Sequence, residues 1–211
     1  MNKDSLNFSE AALTWDTPER TSRAEQVAGA MKDSLGLDGS HTIMRGLEFG
    51  CGTGLVGFAL REYIETLSLV DPSEGMIAVV DDKIEKLGAF NVKGYCTDLI
   101  EGSFEPQDLI FSSMALHHIL DLKPLFERIS QMLNLGGRLC IVDLDLDKDG
   151  QFHRDEAGFD GHHGFDQGQL SIELGNYGLK TKVSRTFFRD NKVKNGLTVP
   201  YSLFVLVAEK I

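Results

Sequence analysis

Leu47-Glu48-Phe49-Gly50-Cys51-Gly52-Thr53-Gly54-Leu55-Val56-Gly57 is the stretch whose reading decides the fold. An apolar run carries one acidic residue, breaks into closely spaced glycines and passes into a helical pattern that reaches about Tyr63. This reads as a strand, a tight turn and a helix N-terminus. Glycine lets the turn take positive φ and leaves bare backbone for a ligand to lie against. The first helical N–H groups have no partner inside the helix and point out of the turn. Phosphate is the usual guest at such a place. Glu48, two residues before Gly50, disfavours a pyrophosphate and suits a cationic or hydroxyl-bearing ligand.

Outward from this turn the chain alternates. The first strand is expected over Arg45–Phe49 and the second over Thr66–Val70, ending at Asp71. An acidic residue there is placed to accept hydrogen bonds from ribose hydroxyls. Pro72-Ser73 opens a helix over Glu74–Leu87, and Asn91–Cys96 is a third strand leading into Thr97-Asp98-Leu99. A fourth strand, Asp108–Ser112, runs into Ser113-Met114-Ala115-Leu116-His117-His118-Ile119. A helix over Leu122–Leu133 and a turn at Gly136-Gly137 lead to a fifth strand, Leu139–Asp143. These apolar strands read as parallel and buried on both faces. The C-terminal part differs: a helix over Gln167–Tyr177 capped by Asp166, then strands Leu179–Arg189 and Leu203–Glu209 joined across the polar residues 190–199. That pair reads as an antiparallel hairpin. At the other end, Thr17 as N-cap and Pro18 at the first helical position predict a helix to Leu35, with Ala24, Val27, Ala28, Met31 and Leu35 on one face.

Glu48-x-Gly50-x-Gly52-x-Gly54 resembles motif I of the class I S-adenosylmethionine-dependent methyltransferases. The same stretch also fits the dinucleotide fingerprint through Gly52, Gly54 and Gly57. Asp71-Pro72-Ser73-x-x-Met76, Asp98 after the third strand and the segment past the fourth strand follow the methyltransferase order. The resemblance covers residues 45–145 by motif and the rest by topology. It implies one Rossmann-like, doubly wound α/β domain over 1–211: a seven-stranded, mostly parallel sheet with a C-terminal antiparallel strand. Residues 1–40 would form an N-terminal helical lid bearing the sole tryptophan, Trp15, and 41–211 the catalytic core. It further implies S-adenosylmethionine as cofactor, held at the methionyl end by Glu48, Gly50, Cys51 and Gly52, with Ser112 and Ser113 nearby. Asp71 and Pro72 would serve the ribose, and Met76, Asp98 and Leu99 the adenine. The activity implied is methyl transfer to a small molecule. A non-catalytic domain that binds the same cofactor is a second reading. An NAD-dependent oxidoreductase is a third, which the terminal hairpin argues against.

Composition narrows the partners. A formal charge of −11 over 211 residues repels phosphate backbones, so nucleic acid is not an expected substrate. The three cysteines, Cys51, Cys96 and Cys140, have neither zinc spacing nor a disulfide pattern and are expected as free thiols in a reducing cytoplasm. There is no signal-peptide pattern or membrane span in the sequence, and a monomer or homodimer is expected.

One segment resists assignment. From Asp145, the residues Asp147, Asp149, Gly150 and Glu156 complete a calcium-loop pattern, but a strand rather than a helix feeds it. The alternative is a loop of the acceptor site, since open α/β sheets build sites past the carboxyl ends of their strands. His117, His118, His153, His162 and His163 all fall on that edge. Imidazole titrates near neutral pH, and His118 or His153 is the expected general base. A transition-metal site from His153, His162, His163 and a carboxylate is the competing use, and no resident metal is expected.

Overall fold

The structure is a computed structural model in which residues 8–155, 158–194 and 196–211 are described. Seven strands form one sheet: β1 (Ile43–Phe49), β2 (Ile64–Asp71), β3 (Val92–Cys96), β4 (Gln107–Ser113), β5 (Leu133–Leu144), β6 (Leu179–Lys194) and β7 (Leu197–Lys210). Their spatial order is β3-β2-β1-β4-β5-β7-β6. β1 to β5 run parallel, while β7 enters antiparallel between β5 and β6. The expected seven-stranded architecture is the one found.

The helices divide between the two faces. On one lie α1 (Pro18–Leu35), α2 (Leu55–Leu60) and α3 (Glu74–Leu87), packed on Leu67, Leu69, Leu109, Phe111, Val142 and Val205. On the other lie α4 (Leu122–Met132) and α5 (Gln167–Gly175), packed on Leu47, Ile110, Ile141, Phe204 and Leu206. Consecutive residues of β4, β5 and β7 alternate between these cores, as strands buried on both faces must.

α1 forms where capping chemistry starts and stops it. The Thr17 side chain accepts from the Arg20 N–H at 3.2 Å and Pro18 occupies the first turn. Gly36 ends the helix at φ 66°, a conformation that suits glycine at this position. α3 repeats the device with Ser73 as N-cap and Gly88 at φ 59°.

Several expected boundaries need correction. β2 and β3 are not buried on both faces: Thr66 and Lys93 are exposed, and Ser68 and Tyr95 half-buried. The reason is the link from β3 to β4, residues 97–106, which contains no helix to cover them. A groove of about 240 Å³ lies on this open face, lined by Arg45, Thr66, Ser68, Tyr95, Phe104 and Gln107. The helix after the glycine turn ends at Leu60 and finishes as a 3-10 turn, Arg61–Tyr63. Gly136 and Gly137 do not join helix to strand. They fall inside β5, whose pairing with β4 slips between Gln107 and Leu109. Gly136 takes φ 77° there, and a Cβ on Gly137 would crowd the Asn134 carbonyl. The expected polar connection at 190–199 is mostly strand, because β6 and β7 stay paired out to Lys194 and Leu197. Among the described residues no helix is long and apolar enough to cross a membrane.

Candidate active site

The glycine turn sits where β1 delivers the chain to α2, at the carboxyl edge of the parallel strands. Gly50 and Gly52 take φ of 61° and 53°. A Cβ on Gly50 would run into the Ala115 side chain, so both conformation and space demand glycine. Gly52 is less crowded: a Cβ there would meet Trp15 Nε1 at 3.8 Å and Met76 Sδ at 4.0 Å. Gly57 serves packing instead. A Cβ on it would strike Leu69 and lie 2.5 Å from Glu48 Oε2, so the bare residue lets α2 press onto the sheet above Glu48.

Glu48 is buried beneath that helix. Burial pushes its carboxyl well above the usual range. The nearby Gly57 N–H and the charge of Lys83 offset part of this, and Asp71 adds to it. Oε2 nevertheless has no well-formed hydrogen bond. A buried carboxylate oxygen without a partner is uncommon enough to require a reason. Cys51, also buried, is pushed up by burial and by the same two carboxylates.

Asp71 ends β2 and closes the turn. Its Oδ2 accepts from the Gly52 N–H at 2.8 Å and its Oδ1 from the Ser73 N–H at 2.9 Å. Burial raises its pKa and these two N–H groups pull it back. Pro72 is exposed, and Ser73 caps the helix that carries Met76, which is buried below Gly52. Thr97 donates its N–H to the Asp71 carbonyl, which brings the end of β3 alongside. Asp98 then acts as a turn cap, with Oδ1 accepting from Ile100 and Glu101 N–H groups at 2.8 and 2.7 Å. Leu99 is buried beside it, and its carbonyl accepts from Arg128.

At the end of β4, buried Ser112 donates to the Phe49 carbonyl at 2.9 Å and so ties β4 to the start of the glycine turn. Half-buried Ser113 precedes Met114, which takes φ 56°. A bulky residue in that region is an outlier that the surroundings must hold. The kink sends the chain into a 3-10 turn, Leu116–His118.

Two features were not legible in the sequence. The first is a clasp from the N-terminal segment. Asp16 accepts from the Thr53 hydroxyl and pairs with Lys83 Nζ at 2.7 Å, while Lys83 also donates to the Thr53 carbonyl at 2.8 Å. Ser9 and Ser73 hydroxyls lie 2.8 Å apart, and Arg20 stacks 3.9 Å from the Trp15 ring. Residues 8–20 therefore lie against the glycine turn. The second is Asp143, which is wholly buried at the end of β5. Its Oδ1 lies 2.6 Å from His117 Nδ1 and accepts from the Leu144 N–H at 2.7 Å, and its Oδ2 accepts from the His117 N–H. A carboxylate at a strand end looks like a cap in sequence; nothing there announces its partner.

Around this pair the rings gather. His118 lies 4.2 Å from His117, and His153 5.2 Å, between ring centroids. His153, buried, stacks on Phe159 at 3.7 Å. Phe8 touches both Trp15 and His118 edge-on at 5.6 Å, so one short segment bridges the glycine turn and the histidines. His162 is half-buried and His163 exposed, and the His162 ring nitrogen meets the Ile119 carbonyl at 3.0 Å.

The calcium pattern is differently employed. Asp145 accepts from Gln167, Thr186 and Ser202 side chains, and Asp147 accepts from the Phe152 N–H. Glu156 lies outside the described residues. Among the described residues no three His, Cys, Asp or Glu side chains gather as a metal would require.

Comparison with known proteins agrees with this geometry. Residues 47–139 match the family model described as "Methyltransferase domain". An uncharacterized methyltransferase of Schizosaccharomyces pombe is 33% identical over 132 residues, covering 56% of this chain and 46% of that protein. Malonyl-[acyl-carrier protein] O-methyltransferase 2 of Ilyobacter polytropus is 28% identical over 178 residues, covering 81% and 65%. The chain thus spans about half to two thirds of the length of these curated relatives. Magnesium protoporphyrin IX methyltransferase from Synechocystis, solved with bound SAH, shares the fold at a TM-score of 0.68 and 16% identity, over 89% of this chain and 83% of that one.

Proposed function

We propose that this chain, whose residues 47–139 match a methyltransferase-domain family, is a class I S-adenosylmethionine-dependent methyltransferase that moves the methyl group of that cofactor onto a small-molecule acceptor. The observation that carries the reading is the Glu48–glycine turn–Asp71 constellation at the carboxyl edge of a β3-β2-β1-β4-β5-β7-β6 sheet. The residues suit the cofactor. Gly52 leaves bare backbone whose added Cβ would meet nothing nearer than Trp15 Nε1 at 3.8 Å, while Gly50 lets the turn pass Ala115. The unpartnered Glu48 oxygen suits a cationic neighbour. When bound, the cofactor supplies an activated methyl on a sulfonium that is its own leaving group.

The protein's part is then binding, orientation and exclusion of water. We assign Glu48, Gly50, Cys51, Gly52, Ser112 and Ser113 to the methionyl end. Asp71 and Pro72 go to the ribose side, and Met76, Asp98 and Leu99 to the adenine side. Residues 8–35 act as a lid, tied down through Asp16. His118 and His153 border the acceptor side. A dinucleotide oxidoreductase is disfavoured because β7 runs antiparallel, where that fold continues with parallel strands.

Calorimetric titration with S-adenosylhomocysteine, with NAD as control, tests the assignment. Saturable binding of the first alone supports it. Absence of binding removes the enzymatic reading and leaves the fold.

A further inference from the structure

An acceptor that loses a proton needs a base, and the sequence points to His118 or His153. A third histidine, His117, lies beside both. His117 is held by a wholly buried carboxylate through two bonds, one to its ring and one to its backbone. The Leu144 N–H holds Asp143 in turn. With Nδ1 facing Asp143, that nitrogen carries the proton and Nε2 keeps its lone pair. A carboxylate in this position both fixes the tautomer and stabilises the imidazolium that forms. Nε2 has no hydrogen bond among the described residues. The groups facing the ring are Asp143 from β5, His118 from its own turn, and His153 and Phe159 from the segment after β5.

We propose that His117 is the proton acceptor of the reaction, that Asp143 positions it, and that the acceptor is a phenolic or enolic hydroxyl. This deepens the methyltransferase reading and depends on it. As the O–CH3 bond forms, the S–CH3 bond breaks and its electron pair returns to sulfur. The O–H pair stays on oxygen and the proton passes to Nε2. The positive charge lost by the sulfonium reappears on the imidazolium, next to Asp143, so the balance closes without another reactant. A carboxylate or thiolate acceptor would need no such device. An alkyl alcohol is too weak an acid for imidazole, whereas a phenol has a pKa of about 10 before a neighbouring sulfonium lowers it. Phe8 and Phe159 both pack edge-on against His118, so aromatic rings, the neighbours a planar acceptor favours, lie beside His117.

The test uses 4-nitrophenol, whose visible absorption reports its ionisation, bound to the full chain saturated with S-adenosylhomocysteine. The expected result is an apparent pKa for the bound phenol about 1 unit below that in solution. The shift should vanish in His117→Gln and shrink in Asp143→Asn, while affinity for S-adenosylhomocysteine stays within about twofold. Long-range ¹H–¹⁵N spectra should show His117 protonated at Nδ1 in the wild type and at Nε2 in Asp143→Asn. With methyl donor and ring-substituted phenols, His117→Gln should lose about 10²–10⁴-fold in turnover, and the loss should fade as the phenol becomes acidic enough to ionise unaided. Failure of 4-nitrophenol to bind, or an equal shift in wild type and His117→Gln, overturns the proposal. Failure to bind S-adenosylhomocysteine overturns instead the reading beneath it. Should Asp143→Asn not fold, the wild-type and His117→Gln spectra still decide.

Discussion

Replacing Gly50 by alanine should damage this protein twice over, and the two parts can be measured separately. The first is conformational. Gly50 sits at φ 61°, and a side chain in the left-handed region costs about 1–2 kcal/mol. The second is steric. The new Cβ would run into the Ala115 side chain, and overpacking of this kind costs about 1–3 kcal/mol. Together the loss is about 2–5 kcal/mol. At this chain length each kcal/mol moves the melting temperature by about 2–4 °C, so a fall of about 4–20 °C is expected. Gly136→Ala is the control. It has φ 77° with nothing within 4 Å of the added Cβ, so it should show the conformational part alone, about 2–8 °C. Adding Ala115→Gly to Gly50→Ala should recover the steric part, a coupling of about 1–3 kcal/mol. Calorimetric melting of the wild type, Gly50→Ala, Ala115→Gly, their double variant and Gly136→Ala is the assay. If Gly50→Ala melts with Gly136→Ala, or if Ala115→Gly recovers nothing, then the turn does not rest on the β4–β5 segment as described.

Asp71→Ala should weaken S-adenosylhomocysteine binding by more than ~1 kcal/mol, about fivefold, and unchanged affinity would sink its assigned role. Glu48 is held above its ordinary carboxyl range by burial, so the folded state keeps a proton that the unfolded state has lost. Its contribution to stability is therefore present below the unfolded value near 4.5 and is lost as pH rises toward the folded value. Urea titrations of the unliganded protein should show that slope, and Glu48→Gln should flatten it; an unchanged slope would argue against a protonated Glu48. Asp16→Asn breaks a half-exposed pair, worth about 1 kcal/mol at most. Faster proteolysis near residues 8–20 with a melting temperature lowered by no more than about 4 °C is the expected outcome, and protection equal to wild type would refute the clasp. Iodoacetamide should label Cys96 in the native protein and spare Cys140, whose thiol is buried and pushed up to about 12; mass spectrometry that finds Cys140 alkylated first would contradict that burial.

The architecture was legible because local signals agreed with one another. Thr17-Pro18 and Gly36 bracket a helix by capping chemistry, and Leu109 to Phe111 read as strand from either core. The errors fell where a tertiary neighbour overrides the local pattern. Gly136 and Gly137 carry the residue types of a loop, yet the chain around them pairs with Gln107 and Leu109 and bulges within a strand. Asp190, Asn191, Val193 and Thr198 are exposed on the paired strands, and a solvent-facing polar stretch of that kind does not separate from a loop in sequence alone. At the site, the glycines and Asp71 could be found by spacing, since they act within one β1-α2-β2 unit. His117–Asp143 and Asp16–Thr53–Lys83 could not, because contacts between residues 26, 37 and 67 positions apart leave no periodic trace.

The Asp16 clasp also bears on rates. While Asp16 holds Thr53 and Lys83, Trp15 stands beside Gly52, and a molecule bound at the glycine turn shares that space. Admission then draws on the fraction of molecules in which the clasp is open, and the apparent affinity is divided by that fraction. Because one bond of the clasp is an ion pair open to solvent on one side, added salt shifts the fraction upward. Association of the nucleoside should therefore quicken with ionic strength, the reverse of what a protein with a formal charge of −11 would show if it simply drew in a cation by long-range attraction.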